Sequence, residues 1–174
     1  MKLIKHAEGI YEIEGFLDKE IRDVLLLQAI QNIDWNTTHP GSTIKKMSDE
    51  LLLKMEHVYK KIETFFTDLG SIIYSSDLRR LTNGEFMFPH VDGGDPDNPK
   101  KIVFGIAIYL NDDFEGGELI YPDFGLSVTP KAGSMVIHDA NLKHQVFPVL
   151  GNRYSITTFV FGDELTKFIT TSVI

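Results

Sequence analysis

The feature that most constrains the fold is a succession of short apolar runs that begins near residue 72. Runs rich in Ile, Val, Phe, Tyr and Thr alternate there with clusters of Gly, Asp, Asn and Pro, which is typical of strands separated by turns. Because no helical segment separates these runs, the pattern favours an antiparallel sandwich or barrel of the jelly-roll kind. The predicted strands are residues 72–81, 84–89, 102–110, 117–121, 125–128, 133–138, 143–147 and 153–162.

Two helices are predicted before these strands. Asp18 can cap the first helix, which follows a short strand-like stretch at residues 10–14. Its apolar residues recur at spacings of three to four, which places them on one face. They are Ile21, Val24, Leu25, Ala29 and Ile30. The second helix is expected to begin near Ser48 and to end at Leu69-Gly70, with the glycine as its C-terminal cap.

The length of 174 residues is that of an ordinary single domain, so we expect one domain over residues 1–174. Residues 1–70 are expected to form a helical support region and residues 71–165 the jelly-roll core. The fold class is then mainly β with N-terminal helices (α+β). The helices are expected to pack on one outer face of a sheet, because this arrangement buries both apolar surfaces.

The composition narrows the classes of function. The chain has no cysteine, so a transition metal would have to be held by nitrogen and oxygen ligands. The net charge of -8 argues against nucleic acid as the main partner, because phosphate binding needs a concentrated positive surface. No apolar run approaches the roughly 20 residues that span a bilayer. We therefore expect a cytoplasmic protein without a membrane partner.

Three residues can form a metal site. His90 and Asp92 are two positions apart in an extended segment, so their side chains point to the same side. His144 lies on a later predicted strand and can complete the set from across the barrel. Two histidines and one carboxylate on one face, with other metal positions open, are typical of non-haem iron(II) oxygenases.

A buried cation is predicted near this set. Arg153 follows His144 by nine residues and shares a strand face with Ser155. A guanidinium binds carboxylates in a bidentate manner and stays charged, and an unpaired buried arginine is costly. The pair of side chains therefore favours an anionic ligand such as the far carboxylate of a dicarboxylate.

Several motifs in order resemble the prolyl 4-hydroxylase branch of the iron(II)- and 2-oxoglutarate-dependent oxygenases. The resemblance covers roughly residues 78–162. It rests on His90-x-Asp92, residues 108–112, Glu115-Gly116-Gly117-Glu118-Leu119-x-x-Pro122, and the stretch from His144 to Tyr154 with Pro148, Gly151 and Arg153.

This resemblance implies a double-stranded β-helix, a jelly-roll or cupin-like barrel. It implies that His90, Asp92 and His144 ligate Fe(II) and that Arg153 binds the C5 carboxylate of 2-oxoglutarate, with Ser155 and Thr157 as supporting donors. Dioxygen would be the second cosubstrate and L-ascorbate a reductant. The implied enzyme is a dioxygenase that hydroxylates a substrate while it decarboxylates 2-oxoglutarate to succinate.

One position departs from the family pattern. Leu81 lies where members often carry a tyrosine that contacts 2-oxoglutarate, and Arg80 is a candidate to replace that donor. Ile106 and Ile108 are expected to face the pocket, opposite an outward Tyr109. Leu119 is a further candidate pocket residue.

Two other segments have competing interpretations. His138-Asp139 is a rival ligand source, but neighbouring strand residues point to opposite faces, which favours a structural hydrogen bond for His138. Residues 93–99 contain Gly93 and Gly94 directly after Asp92. They are predicted to form either a surface loop or a lid over the site.

The substrate is left open by the sequence. A prolyl residue in a peptide or protein is the leading hypothesis. The alternatives are the same chemistry on a free amino acid, another side chain or a nucleobase, and a cupin-like module that binds a small ligand without turnover. An intact metal triad together with an intact cosubstrate arginine argues against the last alternative.

Overall fold

The computed structural model describes residues 1–31, 35–39, 42–46, 49–67, 75–93, 101–162 and 166–168. Eight of the described strands form one large antiparallel sheet, in the order β1-β2-β12-β8-β15-β6-β4-β3. These strands are β1 (Lys2–Ala7), β2 (Ile10–Glu14), β3 (Asn36–His39), β4 (Ser42–Lys46), β6 (Ser75–Leu81), β8 (Lys101–Tyr109), β12 (Met135–Asp139) and β15 (Arg153–Gly162).

A four-stranded antiparallel sheet, in the order β11-β10-β13-β7, faces the large sheet. Its strands are β7 (Met87–His90), β10 (Leu119–Tyr121), β11 (Leu126–Val128) and β13 (His144–Val146). Two short strand pairs complete the β structure. They are β5 (Phe66–Thr67) with β16 (Lys167–Phe168), and β9 (Glu115–Gly116) with β14 (Val149–Leu150).

The two helices, α1 (Lys19–Gln31) and α2 (Asp49–Glu63), cover the outer face of the large sheet. One apolar cluster joins helix residues such as Leu25 and Met55 to the strand residues Ile108, Met135 and Ile156. A second cluster lies between the two sheets and includes Tyr109, Tyr121, Val136 and Val146. Strand alternation explains this division, because successive side chains of β8, β12 and β15 point to opposite faces.

All eight strands predicted after residue 71 are present, with ends that differ from the predictions by up to three residues where they are described. The strand at residues 10–14 is also confirmed. The short strands β5, β9, β14 and β16 were not predicted, and neither were β1, β3 and β4. Because β1, β3 and β4 belong to the large sheet, the first 70 residues are not only a helical support but also extend that sheet.

Both predicted helices are present, but their details differ from the expectations. In α1 only Leu25 and Ala29 of the predicted face are buried, while Val24 and Ile30 are exposed. Helix α2 ends at Glu63, earlier than predicted, because Phe65 and Phe66 leave the helix and pack into the outer core. The predicted ends at Ser48 and at residues 69–70 lie outside the described residues. Within the described part of the chain, neither helix has the length and apolarity that a bilayer crossing requires.

A candidate metal centre at the cavity between the sheets

His90, Asp92 and His144 converge at the inner face of the small sheet. Strands β7 and β13 pair so that His144 lies directly opposite His90, and Asp92 follows two residues after His90. The potential ligand atoms of the three residues all lie within 4.8 Å of one another. Nε2 of His90 and Nε2 of His144 lie 3.6 Å and 3.7 Å from the same Asp92 oxygen, Oδ1. The structure thus brings together all three residues that the sequence singled out.

Backbone hydrogen bonds fix which nitrogen of each ring faces the centre. Nδ1 of His90 donates to the Phe88 carbonyl at 2.8 Å, and Nδ1 of His144 donates to the Leu142 carbonyl at 2.9 Å. Each ring therefore carries its proton on Nδ1 and turns the lone pair of Nε2 toward Asp92. Burial, together with the nearby His138, lowers the pKa of His144 to about 4, so this ring is neutral at neutral pH. A neutral imidazole is the form that binds a metal ion.

His138 holds the other oxygen of the carboxylate. Its Nε2 donates to Asp92 Oδ2 at 2.9 Å, and its Nδ1 accepts a hydrogen bond of 2.9 Å from the Tyr121 hydroxyl. Burial opposes ionisation of Asp92, but the hydrogen bond from His138 and the electrostatic influence of the neighbouring histidines outweigh it and leave the pKa of Asp92 below its usual value. The expectation of a structural hydrogen bond for His138 is confirmed, and this bond orients Asp92 toward the two other rings.

Gly105 makes room for this contact. It lies opposite His138 in the large sheet. A Cβ at this position would lie 2.1 Å from Asp92 Oδ2 and 2.5 Å from His138 Nε2. Any side chain here would separate the two partners, so the carboxylate–imidazole hydrogen bond depends on a glycine in the middle of strand β8.

The three residues open onto a cavity of about 330 Å³ between the two sheets. Its walls are mostly apolar, with a few polar groups that converge on the interior, as is common for small-molecule sites. The lining residues that the argument below uses are Arg79, Phe86, Phe88, Leu119, Arg153, Thr157 and Phe159.

Arg153 forms a second polar centre in this cavity. It is only 2% exposed, and its Nη1 donates to the Ser155 hydroxyl at 3.2 Å. The guanidinium lies 5.0 Å from the ring centroid of Tyr109. Arg153 Nε is buried without a hydrogen-bond partner in the part of the chain that is described. Burial lowers the pKa of Arg153 although the interaction of the guanidinium with Tyr109 acts to raise it, which shows the cost of keeping this cation away from water.

The predicted orientation of strand β8 was wrong. Tyr109 is fully buried and points inward, toward Arg153, whereas Ile108 belongs to the core beneath the helices. Ile106 packs in that same core and also lines part of the cavity. The inward direction could have been found from the pairing of Tyr109 with Ser155, because directly paired residues project from the same face of a sheet.

The second arginine of the cavity is Arg79, and not Arg80 as expected. Arg80 points away from the cavity and its guanidinium lies 4.7 Å from the ring centroid of Trp35. Leu81 is fully buried in the core between the sheets. Arg79 shares the face of Leu81 by strand alternation and is 7% exposed.

The remaining candidate residues have mixed positions. Leu119 and Thr157 line the cavity. The Gly93 amide donates to the Ala140 carbonyl at 2.8 Å, which ties Gly93 to the residue that follows strand β12. Gly94 and the rest of the candidate lid lie outside the described residues.

Comparison with known proteins agrees with this geometry. Residues 76–161 match the family profile of the 2OG-Fe(II) oxygenase superfamily. A PKHD-type hydroxylase of Cupriavidus pinatubonensis is 34% identical over 90 residues, which are 47% of this chain but only 40% of that protein.

Solved structures with the same fold include two prolyl hydroxylases. The viral collagen prolyl hydroxylase of Paramecium bursaria Chlorella virus-1 superimposes with a TM-score of 0.74 at 20% identity, over 90% of this chain and 97% of that one. A prolyl-4-hydroxylase of Pseudomonas putida gives a TM-score of 0.74 at 21% identity, over 89% and 93% of the two chains.

Proposed function

We propose that this chain is an iron(II)- and 2-oxoglutarate-dependent dioxygenase that hydroxylates a prolyl residue of a peptide or protein, because residues 76–161 match the profile of the 2OG-Fe(II) oxygenase superfamily and a hydroxylase is among the similar sequences. The observation that carries the proposal is one cavity that holds both the His90, Asp92 and His144 set and a buried arginine without a carboxylate partner among the described residues. The prolyl substrate is supported by the two prolyl hydroxylases that share the fold.

We also propose that the two facing sheets form the double-stranded β-helix of this superfamily, in a single oxygenase domain. The metal centre on the small sheet and Arg153 on the large sheet then lie on opposite walls of the barrel. This arrangement suits a ligand that bridges the walls.

The donor set fits iron(II). His90 and His144 each turn Nε2 toward the centre, and Asp92 presents Oδ1 while His138 occupies its other oxygen. Two imidazoles and one carboxylate on one side leave the opposite side of a metal ion open to a cosubstrate and dioxygen.

The far polar centre fits the C5 carboxylate of 2-oxoglutarate. The unpartnered Nε of Arg153 and the buried Tyr109 hydroxyl are both donors that a carboxylate can satisfy, and Ser155 already orients the guanidinium. Thr157 lines the cavity and is a further candidate donor. Leu81 contributes no polar atom, so the arginine, tyrosine and serine would bear most of this binding.

Bound iron and 2-oxoglutarate supply the oxidation, in which dioxygen converts 2-oxoglutarate to succinate and carbon dioxide and hydroxylates the substrate. The chain contributes orientation and exclusion of water. His138 holds Asp92 in place, and Arg153 and Tyr109 anchor the cosubstrate. The apolar side chains of Leu119, Phe86 and Phe159 exclude water around the reacting groups.

Succinate formation tests this proposal. The protein with Fe(II), 2-oxoglutarate, dioxygen and L-ascorbate as reductant should form succinate, and proline-containing peptides should stimulate the rate and gain the mass of one oxygen atom. His144→Ala should abolish the reaction. Iron binding without any succinate, with or without peptides, would contradict the enzyme and favour a ligand-binding module.

A further inference from the structure

Two buried arginines face the same cavity. Arg79 and Arg153 lie on the neighbouring strands β6 and β15 and both line the cavity, at 7% and 2% exposure. Arg79 pairs across the strands with Ser155, whose hydroxyl accepts a hydrogen bond from Arg153. None of the ion pairs among the described residues joins either guanidinium to a carboxylate. The proposed function accounts for Arg153 but leaves Arg79 without a role.

The surroundings of Arg79 do not satisfy its charge. Its Nη1 lies 2.9 Å from the Met87 sulfur, a weak acceptor, and its Nε is buried without a hydrogen-bond partner among the described residues. Burial, with help from Arg153, lowers the pKa of Arg79 to about 10, although Asp77 and Asp92 act in the opposite direction. The group remains a cation at neutral pH, and a buried cation needs an anionic partner.

Cosubstrate binding would not neutralise this cation. The positive charge of iron(II) and Arg153 together would equal the negative charge of Asp92 and the two carboxylates of 2-oxoglutarate. The charge of Arg79 would then be offset only by the Coulomb attraction of Asp77 and Asp92, and its guanidinium would still lack an anionic hydrogen-bond partner among the described residues. Both cosubstrate carboxylates would already have partners, one at the metal and one at Arg153. A further anion in the same cavity would satisfy the donors of Arg79, and the molecule that has yet to bind is the substrate.

We propose that Arg79 binds a carboxylate of the substrate that is hydroxylated, an inference that rests on the proposed function. Phe86, Phe88 and Phe159 line the same cavity and suit an apolar body next to this carboxylate. The substrate is therefore a molecule with an aliphatic part and a nearby carboxylate. Two sources have this chemistry, a free aliphatic amino acid and a peptide with an acidic residue beside its proline.

Matched pairs of carboxylates and amides test this proposal. The free amino acids L-proline, L-leucine and L-isoleucine are compared with their carboxamides, and prolyl peptides flanked by glutamate are compared with the same peptides flanked by glutamine. The readouts are succinate formation with Fe(II) and, without turnover, calorimetry on the protein loaded with Mn(II) and 2-oxoglutarate. We expect at least one carboxylate to bind at least tenfold more tightly than its amide, and the pair that responds identifies the source.

Three variants assign this preference to Arg79. In Arg79→Gln the affinity for the preferred carboxylate should fall at least tenfold, equivalent to about 1.4 kcal/mol, while the affinity for its amide should change much less. Arg79→Lys should keep part of the preference because it keeps the charge. The matched control Arg80→Gln removes a cation from the same strand on the opposite face and should leave the preference intact. Unfolding midpoints of all variants verify that they are folded.

Several outcomes would overturn the proposal. The first is a wild-type protein that binds no carboxylate of the panel or binds each pair equally. The second is an Arg79→Gln protein whose affinity for 2-oxoglutarate falls instead, which would place Arg79 at the cosubstrate. Failure of the proposed function is a separate result, namely no iron-dependent succinate under any condition. The calorimetric comparison still decides the role of Arg79 in that case.

Discussion

Replacement of Arg153 by methionine should change the stability of the protein in opposite directions with and without 2-oxoglutarate. Without the cosubstrate, Arg153 is a buried cation whose Nε has no partner and whose pKa is lowered by burial. An apolar side chain of similar length avoids this desolvation cost but loses the contact with Tyr109 and the hydrogen bond to Ser155. We expect the ligand-free variant to be about 1–2 kcal/mol more stable than the wild type.

With 2-oxoglutarate bound, the wild type should be more stable than the Arg153→Met variant. At 2-oxoglutarate concentrations near 100 times the wild-type Kd, binding stabilises the wild type by about 2.7 kcal/mol. This corresponds to roughly 5–10 °C in Tm for a domain of this size. Loss of a buried charged partner costs about 3–5 kcal/mol, or two to three powers of ten in Kd. The same concentration would then stabilise the variant by at most about 0.4 kcal/mol.

Thermal unfolding with Mn(II), in the presence and absence of 2-oxoglutarate, measures both effects in one experiment. The matched control is Arg80→Met, which removes a cation from the opposite face of the neighbouring strand and should keep the full stabilisation by 2-oxoglutarate. Equal stabilisation of Arg153→Met and wild type would refute the assignment of Arg153 to the cosubstrate.

Three further predictions concern the metal centre. His144→Ala should lose iron affinity in calorimetry yet keep its cooperative unfolding; full affinity would refute the ligand assignment. His138→Leu should weaken metal binding about 10- to 100-fold, because Asp92 Oδ2 loses its donor, and unchanged affinity would show that the hydrogen bond has no such role. The folded-state pKa of His144 is lowered to about 4, so the metal-free protein should lose stability as the pH falls from about 6.5 toward 4. The slope from this group is at most about 1.4 kcal/mol per pH unit, and urea unfolding should show a shallower slope for His144→Ala.

The part of the fold that the sequence predicted best is the part with the strongest local pattern. Alternation and turn residues located eight of the strands after residue 71, and the spacing of His90, Asp92 and His144 located the candidate ligands. The strands β3 and β4 escaped detection because Asn36–His39 and Ser42–Lys46 are largely polar. The two strands pair with each other, and they join the large sheet only where β4 pairs with the distant strand β6, which no local pattern reveals.

The errors within the site have one physical origin. Strand alternation predicts that neighbouring residues such as Arg79 and Arg80, or Ile108 and Tyr109, point to opposite faces of the sheet. It does not predict which of the two faces lines the cavity. The pairing between distant strands determines the face. Ser155 in β15 pairs with Arg79 in β6 and with Tyr109 in β8, so all three residues point to the same face. The role of His138 was easier to predict, because Asp139 next to it had to point to the other face.

Strand register couples the core to the candidate site. In β15, Ile156 and Val160 pack under the helices, while Arg153, Ser155 and Thr157 turn to the opposite face, toward the cavity between the sheets. A slip of one residue would exchange the two faces, placing the arginine under the helices and the isoleucine beside the cosubstrate. The helix-side core disfavours such a slip strongly, since it would bury a cation among apolar side chains. The core therefore does more than stabilise the fold: it fixes the direction in which the polar residues of the same strand point. This explains how two buried arginines with unsatisfied guanidinium nitrogens can be maintained in one cavity.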